Sequence, residues 1–195
     1  MLDELNHYFA SRYAAWELEG SLMIGRWARR TKDDYLRGQL TWHATEESRH
    51  SLMWAKLILS NKQQPLKIPP ANRYFHVFQS IDNDIDMLAF IHIYELGVPG
   101  HFKAHAAFLG VPEDMKALLL QLAEEEGPHL SWIREWLDKQ KSTGKETEVE
   151  QALEKYRQLE KATEQDYLSE LAKREGQWGE FGKFLAKELK IAATV

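Results

Sequence analysis

The sequence predicts an all-α protein: four long helices arranged as two αα-hairpins joined by a long crossover, followed by C-terminal helices. Three observations carry this. Apolar residues recur at helical spacing, and no stretch alternates convincingly in the two-residue period of a half-buried strand. Cap residues, Pro and Gly punctuate the chain at intervals that suit long helices. A proline-bearing segment, residues 61–80, separates two helix pairs whose own connections are short, which is a bundle with one crossover.

The first helix is predicted from near Asp3 to Arg30, with Tyr8, Phe9, Ala15, Trp16, Leu22, Met23 and Trp27 as its apolar face. Thr31-Lys32-Asp33-Asp34 supplies an N-cap with acids in the first turn and starts a second helix that reaches about Ser60. So short a connection makes the pair antiparallel. Asn61 to Ser80 holds Pro65, Pro69 and Pro70 without helical period and reads as the crossover, with one turn near Tyr74–Phe78. The third helix starts at the Ser80–Asp84 caps and runs to Leu109, interrupted at Gly97-Val98-Pro99-Gly100. Gly110-Val111-Pro112-Glu113-Asp114 turns the chain into a fourth helix that continues to about Gln140.

Lys141–Lys145, with Gly144, is a polar loop, and Thr147-x-x-Glu150 reads as a capping box opening a fifth helix. Its stripe is Val149, Ala152, Leu153, Tyr156, Leu159, Leu168 and Leu171, to be packed on the bundle or on a partner subunit. Glu175-Gly176 ends it, and Trp178, Phe181, Phe184 and Leu185 mark a last short amphipathic helix. Residues 1–195 are read as a single domain, with 1–140 the four-helix core and 146–190 a C-terminal helical extension.

Composition excludes several function classes. With no cysteine there is no disulfide, thiolate zinc site or iron–sulfur cluster. The formal net charge of -5 with scattered Lys and Arg lacks the basic footprint of a nucleic-acid binder. No apolar run is long enough for a membrane span, and the N-terminus has no secretory pattern, so a cytoplasmic protein is expected.

Two copies of Glu-x-x-His, Glu47/His50 and Glu126/His129, dominate the chemistry. Residues three apart on a helix share a face, so each pair can aim a carboxylate and an imidazole at one point. A two-metal site in a bundle core needs two such helices plus one Glu from each of the other two. In the first helix Glu17 and Glu19 face roughly opposite ways. Glu19 has the apolar same-face neighbours Ala15, Trp16, Leu22 and Met23, whereas Glu17 has Tyr13, Ala14, Gly20 and Ser21. Glu19 is therefore the predicted ligand. In the third helix Glu95 lies in the apolar run Met87 to Leu96. Glu19 precedes Glu47 by 28 residues and Glu95 precedes Glu126 by 31, so each hairpin supplies one Glu opposite one Glu-x-x-His.

One Glu-x-x-His on an amphipathic helix arises easily by chance; two, each preceded at hairpin distance by a Glu in an apolar stretch, do not. A buried unpaired Glu95 would be costly, and divalent cations remove that cost. Four carboxylates and two imidazoles without thiolate suit iron or manganese better than zinc or copper, with positions open for dioxygen or peroxide. Glu125 also shares a face with His129 and is the alternative to Glu126; otherwise Glu124 and Glu125 read as solvated. His43, on the face of Glu47, is either a supporting donor behind the ligands or a core histidine. His92, three before Glu95, is a supporting residue or an added ligand. His101 and His105 read as surface residues. Pro99 and Pro128, inside helices, would free the carbonyls of Glu95 and Glu124.

As a set these residues resemble the ferritin-like di-iron carboxylate proteins, which include rubrerythrins, bacterioferritins and aldehyde-deformylating oxygenases, over roughly residues 10–140. By that resemblance Glu19, Glu47, His50, Glu95, Glu126 and His129 are the six ligands, with Glu47 and Glu126 bridging and Glu19 and Glu95 terminal. Rubrerythrins carry a further Glu where this chain has Val98, and bacterioferritins a haem-ligating Met where it has Ser48. Glu19-Gly20, and Glu126-x-x-His129 followed by Glu135-Trp136-Leu137, look most like the aldehyde-deformylating oxygenases. The resemblance implies a di-iron oxidoreductase, with manganese the alternative ion, that activates dioxygen on a small, largely apolar organic substrate. Electrons would come from an external donor such as a ferredoxin, and the protein would be a monomer or homodimer. Two alternatives stand beside it: iron handling or peroxide scavenging, and a metal-free helical interaction module. The substrate pocket is expected beside the metals, lined by Trp16, Leu22, Met23, Phe90, Ile91, Tyr94 and Pro99 and opening near the Gly97–Gly100 break.

Overall fold

The computed structural model describes residues 1–69 and 72–190. Pro70 and Ala71 of the expected crossover, and 191–195 of the expected domain, lie outside the described residues. Among the described residues every regular element is a helix, and none is long and apolar enough to cross a membrane. By its packing the chain divides into two compact units, Met1–Ile81 and Asp82–Val195.

The first unit is built on α1 (Glu4–Ala28) and α2 (Asp34–Ser60). Asp3 caps α1 by accepting from the Asn6 N–H at 2.8 Å, and Asp33 caps α2 by accepting from Leu36 at 3.1 Å. The two helices run antiparallel and close together because the residues between them are small. Ser21 Oγ donates to the Ala44 carbonyl at 2.7 Å and shares a 2.6 Å bond with Ser48 Oγ, while Ser51 Oγ donates to the Ala14 carbonyl at 2.7 Å. Leu5, Phe9, Leu36, Leu40 and Ile58 fill the core, with Tyr13 tilted on Trp54 at 5.0 Å.

The apolar face expected for α1 is rotated in the structure. The buried stripe runs Phe9, Tyr13, Glu17, Ser21, Ile24, Ala28, whereas Leu22 is 65% exposed and Trp16 lies half-buried under the Arg12 guanidinium. The crossover folds back along α1: Leu66 N–H donates to Ser11 Oγ at 3.0 Å, and Gln63 bonds both the N–H and the carbonyl of Leu2. It ends in α3 (Asn72–Ser80), longer than the single turn expected, with Phe78 edge-on to Trp27 at 6.4 Å.

The second unit holds α4 (Asp84–Leu96), α5 (Val98–Ala106), α6 (Glu113–Gln140), α7 (Glu146–Ala172) and α8 (Gly176–Glu188). Asn83 caps α4 by accepting from the Asp86 N–H at 2.9 Å. The expected break is present: Gly97 ends α4, and Pro99 falls in the first turn of α5, where its missing N–H costs no bond. Pro99 thus starts a helix instead of kinking one, and the Glu95 carbonyl accepts from the Gly97 N–H. Pro128 does lie inside α6.

After α6 the chain passes through a π-type turn, Lys141–Lys145, broken at Gly144 with φ 91°. The predicted capping box does not form, since Thr147 lies inside α7 and Glu150 pairs with Lys141. Against α4, the Tyr156 hydroxyl donates to Asp86 Oδ1 at 2.9 Å and its ring meets Phe90 edge-on at 5.5 Å. Lys155 donates to the same carboxylate at 3.0 Å. Burial, with the Asp86 carboxylate beside it, pushes Tyr156 up to about 12. The α7–α8 contact is tighter still: a Cβ on Gly182 would stand 2.6 Å from the Ala172 nitrogen. His105 corrects the surface reading, being fully buried with its ring 4.5 Å from Phe181 of α8. Burial first, and then His101, pushes its imidazole down to about 3.

Candidate metal centre

In the first unit α2 carries His43, Glu47 and His50 at spacings of four and three, which on a helix is one face, and all three are buried. Opposite them on α1 stands Glu17, 9% exposed. His43 Nε2 is 3.4 Å from Glu47 Oε1, and His50 Nδ1 is 4.0 Å from Glu17 Oε2. Ligand atoms of Glu17, Glu47 and His50 all fall within 4.8 Å of one another. Gly20 faces this carboxylate: a Cβ there would lie 3.5 Å from Glu47 Oε2, an ordinary van der Waals contact. Arg49 donates to Glu46 Oε2 at 2.8 Å and to Met53 Sδ at 3.2 Å, and its guanidinium is also 3.3 Å from His50 Nε2. A guanidinium only donates, so the His50 ring accepts at Nε2.

In the second unit α4 supplies Glu95 and α6 supplies Glu126 and His129, all buried. His129 Nδ1 is 3.3 Å from Glu126 Oε2, and Glu95 and His129 offer ligand atoms within 4.8 Å. The alternative carboxylate, Glu125, is turned toward Gln121, whose amide donates to it at 2.8 Å, and Glu124 is exposed. His92 is buried but joins no group; burial, then the nearby Arg134 charge, lowers its pKa against the opposing pull of Asp138.

Buried His/Glu groups among the described residues could hold a metal ion. Their spacings fit such a role. Two N/O donors each about 2.1 Å from one ion stand roughly 3.0 Å apart at a right angle and roughly 3.4 Å apart at the tetrahedral angle. The 3.3 Å pair His129/Glu126, which is also a long hydrogen bond, and the 3.4 Å pair His43/Glu47 fall in that range, whereas His50 and Glu17 at 4.0 Å stand farther apart. The donors are carboxylate and imidazole, with no thiolate in the chain.

The structure departs from the expected set at α1. Glu17, and not Glu19, joins the grouped residues; Glu19 is half-buried and outside them. The small neighbours Ala14, Gly20 and Ser21, which made the Glu17 side look polar, are the residues that let α1 approach α2, and this buries Glu17. Of the residues expected to line a pocket, Phe90 and Ile91 are buried, Phe90 already against Tyr156. Trp16, Met23, Tyr94 and Pro99 are half-buried. Leu22, 65% exposed, faces away from any interior cavity. Arg49 was not singled out in the sequence; its position directly before His50 was the only signal. No protein-family model, no curated protein and no solved structure matches this chain.

Proposed function

We propose that this chain is a di-iron oxidoreductase of ferritin-like architecture that activates dioxygen on a small, largely apolar organic substrate. One observation carries the reading: each unit buries its own His/Glu set, Glu17, His43, Glu47 and His50 on α1 and α2, and Glu95, Glu126 and His129 on α4 and α6. Each unit buries two of these carboxylates, which is costly without a partner, and a bound dication offsets that cost. A carboxylate-rich set with imidazoles and no thiolate suits iron, with manganese the alternative. The ferritin-like reading is supported by one Glu helix and one Glu-x-x-His helix in each unit, α1 with α2 and α4 with α6.

Iron, when bound, supplies the electrons and the coordination positions that dioxygen chemistry needs. The chain does the rest. Its carboxylates and imidazoles would hold the ions, their burial keeps bulk water away, and the break at Gly97, two residues beyond Glu95, is where a substrate would approach α4. The chain has no cysteine, so reducing equivalents must arrive from an external donor such as a ferredoxin. The test is anaerobic Fe(II) loading followed by air, a reductase system and a panel of fatty aldehydes, acids and aromatic compounds. Oxidised product formed with matching dioxygen uptake supports the reading. Iron accumulating well beyond two ions per chain, or peroxide consumption with no organic product, would transfer the assignment to iron handling or peroxide scavenging. No iron uptake at all would leave the metal-free interaction module.

A further inference from the structure

We infer that Arg49 is a positioning residue that works through His50: its guanidinium engages one ring nitrogen, Nε2, and uptake of a cation at the other, Nδ1, displaces it. The inference rests on the metal-binding reading above and draws only on α1 and α2. His50 is fully buried, and its two ring nitrogens meet different surroundings. Nδ1 stands 4.0 Å from Glu17 Oε2 of α1, whereas Nε2 stands 3.3 Å from Arg49 Nη2. A cation shared by Glu17 and His50 is therefore reached through Nδ1.

A neutral imidazole carries one proton, and a guanidinium only donates. With Nε2 accepting from Arg49, the proton lies on Nδ1, the nitrogen that has to take the cation. Uptake there means that Nδ1 gives a proton to water and Nε2 takes one, so the ring stays neutral and no proton is released overall. Nε2–H and the guanidinium are then two donors face to face. A metal-bound histidine ordinarily gives its other N–H to a carboxylate, a carbonyl or water, and a guanidinium can fill none of those roles. One of the two side chains has to move. His50 sits on the buried face of α2, while the Arg49 side chain is 39% exposed and keeps acceptors of its own. Its Nε and Nη2 donate to Glu46 Oε2 at 3.1 and 2.8 Å, and its Nη1 donates to Met53 Sδ at 3.2 Å. Arg49 retains these partners and gives up His50. Its hold on Nε2 thus favours the form of His50 that cannot ligate through Nδ1, and so competes with the cation.

The experiment is NMR of the full chain labelled with 15N at histidine and arginine, before and after Zn(II), a diamagnetic probe, for wild type and Arg49→Met, with His50 assigned from the signals missing in His50→Gln. Calorimetry gives the Zn(II) affinities. Metal-free wild type should carry the His50 proton on Nδ1; Zn(II) should move it to Nε2 and shift the Arg49 side-chain signals. In metal-free Arg49→Met the proton should shift toward Nε2, and Zn(II) should bind about tenfold more tightly, the loss of one charge-assisted hydrogen bond. Losing the Arg49 charge alone would also tighten binding but would leave the proton in place, so tighter binding with an unchanged tautomer overturns the inference. So does a metal-free wild type with the proton on Nε2, or Arg49 signals that Zn(II) does not move; either reading comes from wild type and needs no variant to fold. Wild type that takes up no Zn(II), Mn(II) or Fe(II) would instead overturn the metal-binding reading itself.

Discussion

Glu17→Ala separates the two α1 candidates more sharply than any other substitution. In the metal-free protein Glu17 is a buried carboxylate beside Glu47 and His50, so its removal relieves repulsion and is expected to be neutral or stabilising. The metal-loaded protein should respond the other way. Ion at about a hundredfold above Kd stabilises a fold by about 2.7 kcal/mol. For a chain of 195 residues a stabilisation of about 1 kcal/mol moves Tm by roughly 2–4 °C, so wild type should gain roughly 5–11 °C on loading. A ligand loss that weakens binding about a hundredfold leaves about 0.4 kcal/mol at the same ion concentration, which is a shift of roughly 1–2 °C. Glu19→Ala, outside the grouped residues, should keep the full wild-type gain. The assay is differential scanning fluorimetry with and without Mn(II) or anaerobic Fe(II). If Glu19→Ala abolishes the metal-induced shift and Glu17→Ala retains it, the assignment of the α1 ligand is wrong.

Two further substitutions probe the second unit alone. Gly182→Ala places a Cβ 2.6 Å from backbone of α7, and since backbone cannot rotate aside the cost should be about 1–3 kcal/mol, read by urea unfolding; an unchanged midpoint would mean α7 and α8 are not held this close. His105 predicts a pH dependence. Its imidazole titrates at about 3 when folded against an ordinary 6.5, so between those values the unfolded chain binds the extra proton and stability falls as pH falls. The contribution is at most about 1.4 kcal/mol per pH unit and vanishes above the upper value. His105→Phe should flatten that acid limb between pH 7 and 5, and an identical slope in the variant would show that His105 is accessible.

Cap and turn chemistry made the helices legible. Asp33, Asn83 and the Gly97–Pro99 break mark element ends in both sequence and structure. Within the helices the buried His and Glu residues of α2, α4 and α6 were legible, because Glu47/His50, Glu95 and Glu126/His129 stand among apolar residues or at fixed spacing. Glu17 of α1 was not. Side-chain hydrophobicity pointed Leu22 inward, but this helix buries its small-residue side: Ser21, with Ala14 opposite Ser51, brings the α2 backbone near, and hydroxyls satisfied by carbonyls cost little to bury. His105 failed for a related reason, since the aromatic wall that covers it comes from α8, some seventy residues away in sequence. The Thr147 capping box failed because Gly144 turns the chain early enough for α7 to start at Glu146.

The account turns on whether the buried His/Glu groups hold two ions, and metal stoichiometry tests this most directly. The protein is stripped with chelator, equilibrated anaerobically with Fe(II), freed of excess by gel filtration and analysed for iron per chain, beside Glu47→Ala, which removes the buried carboxylate between His43 and His50 on α2. Two ions per chain in wild type, with fewer in Glu47→Ala, is the predicted result. Wild type that retains no iron, or Glu47→Ala that retains as much as wild type, would contradict it.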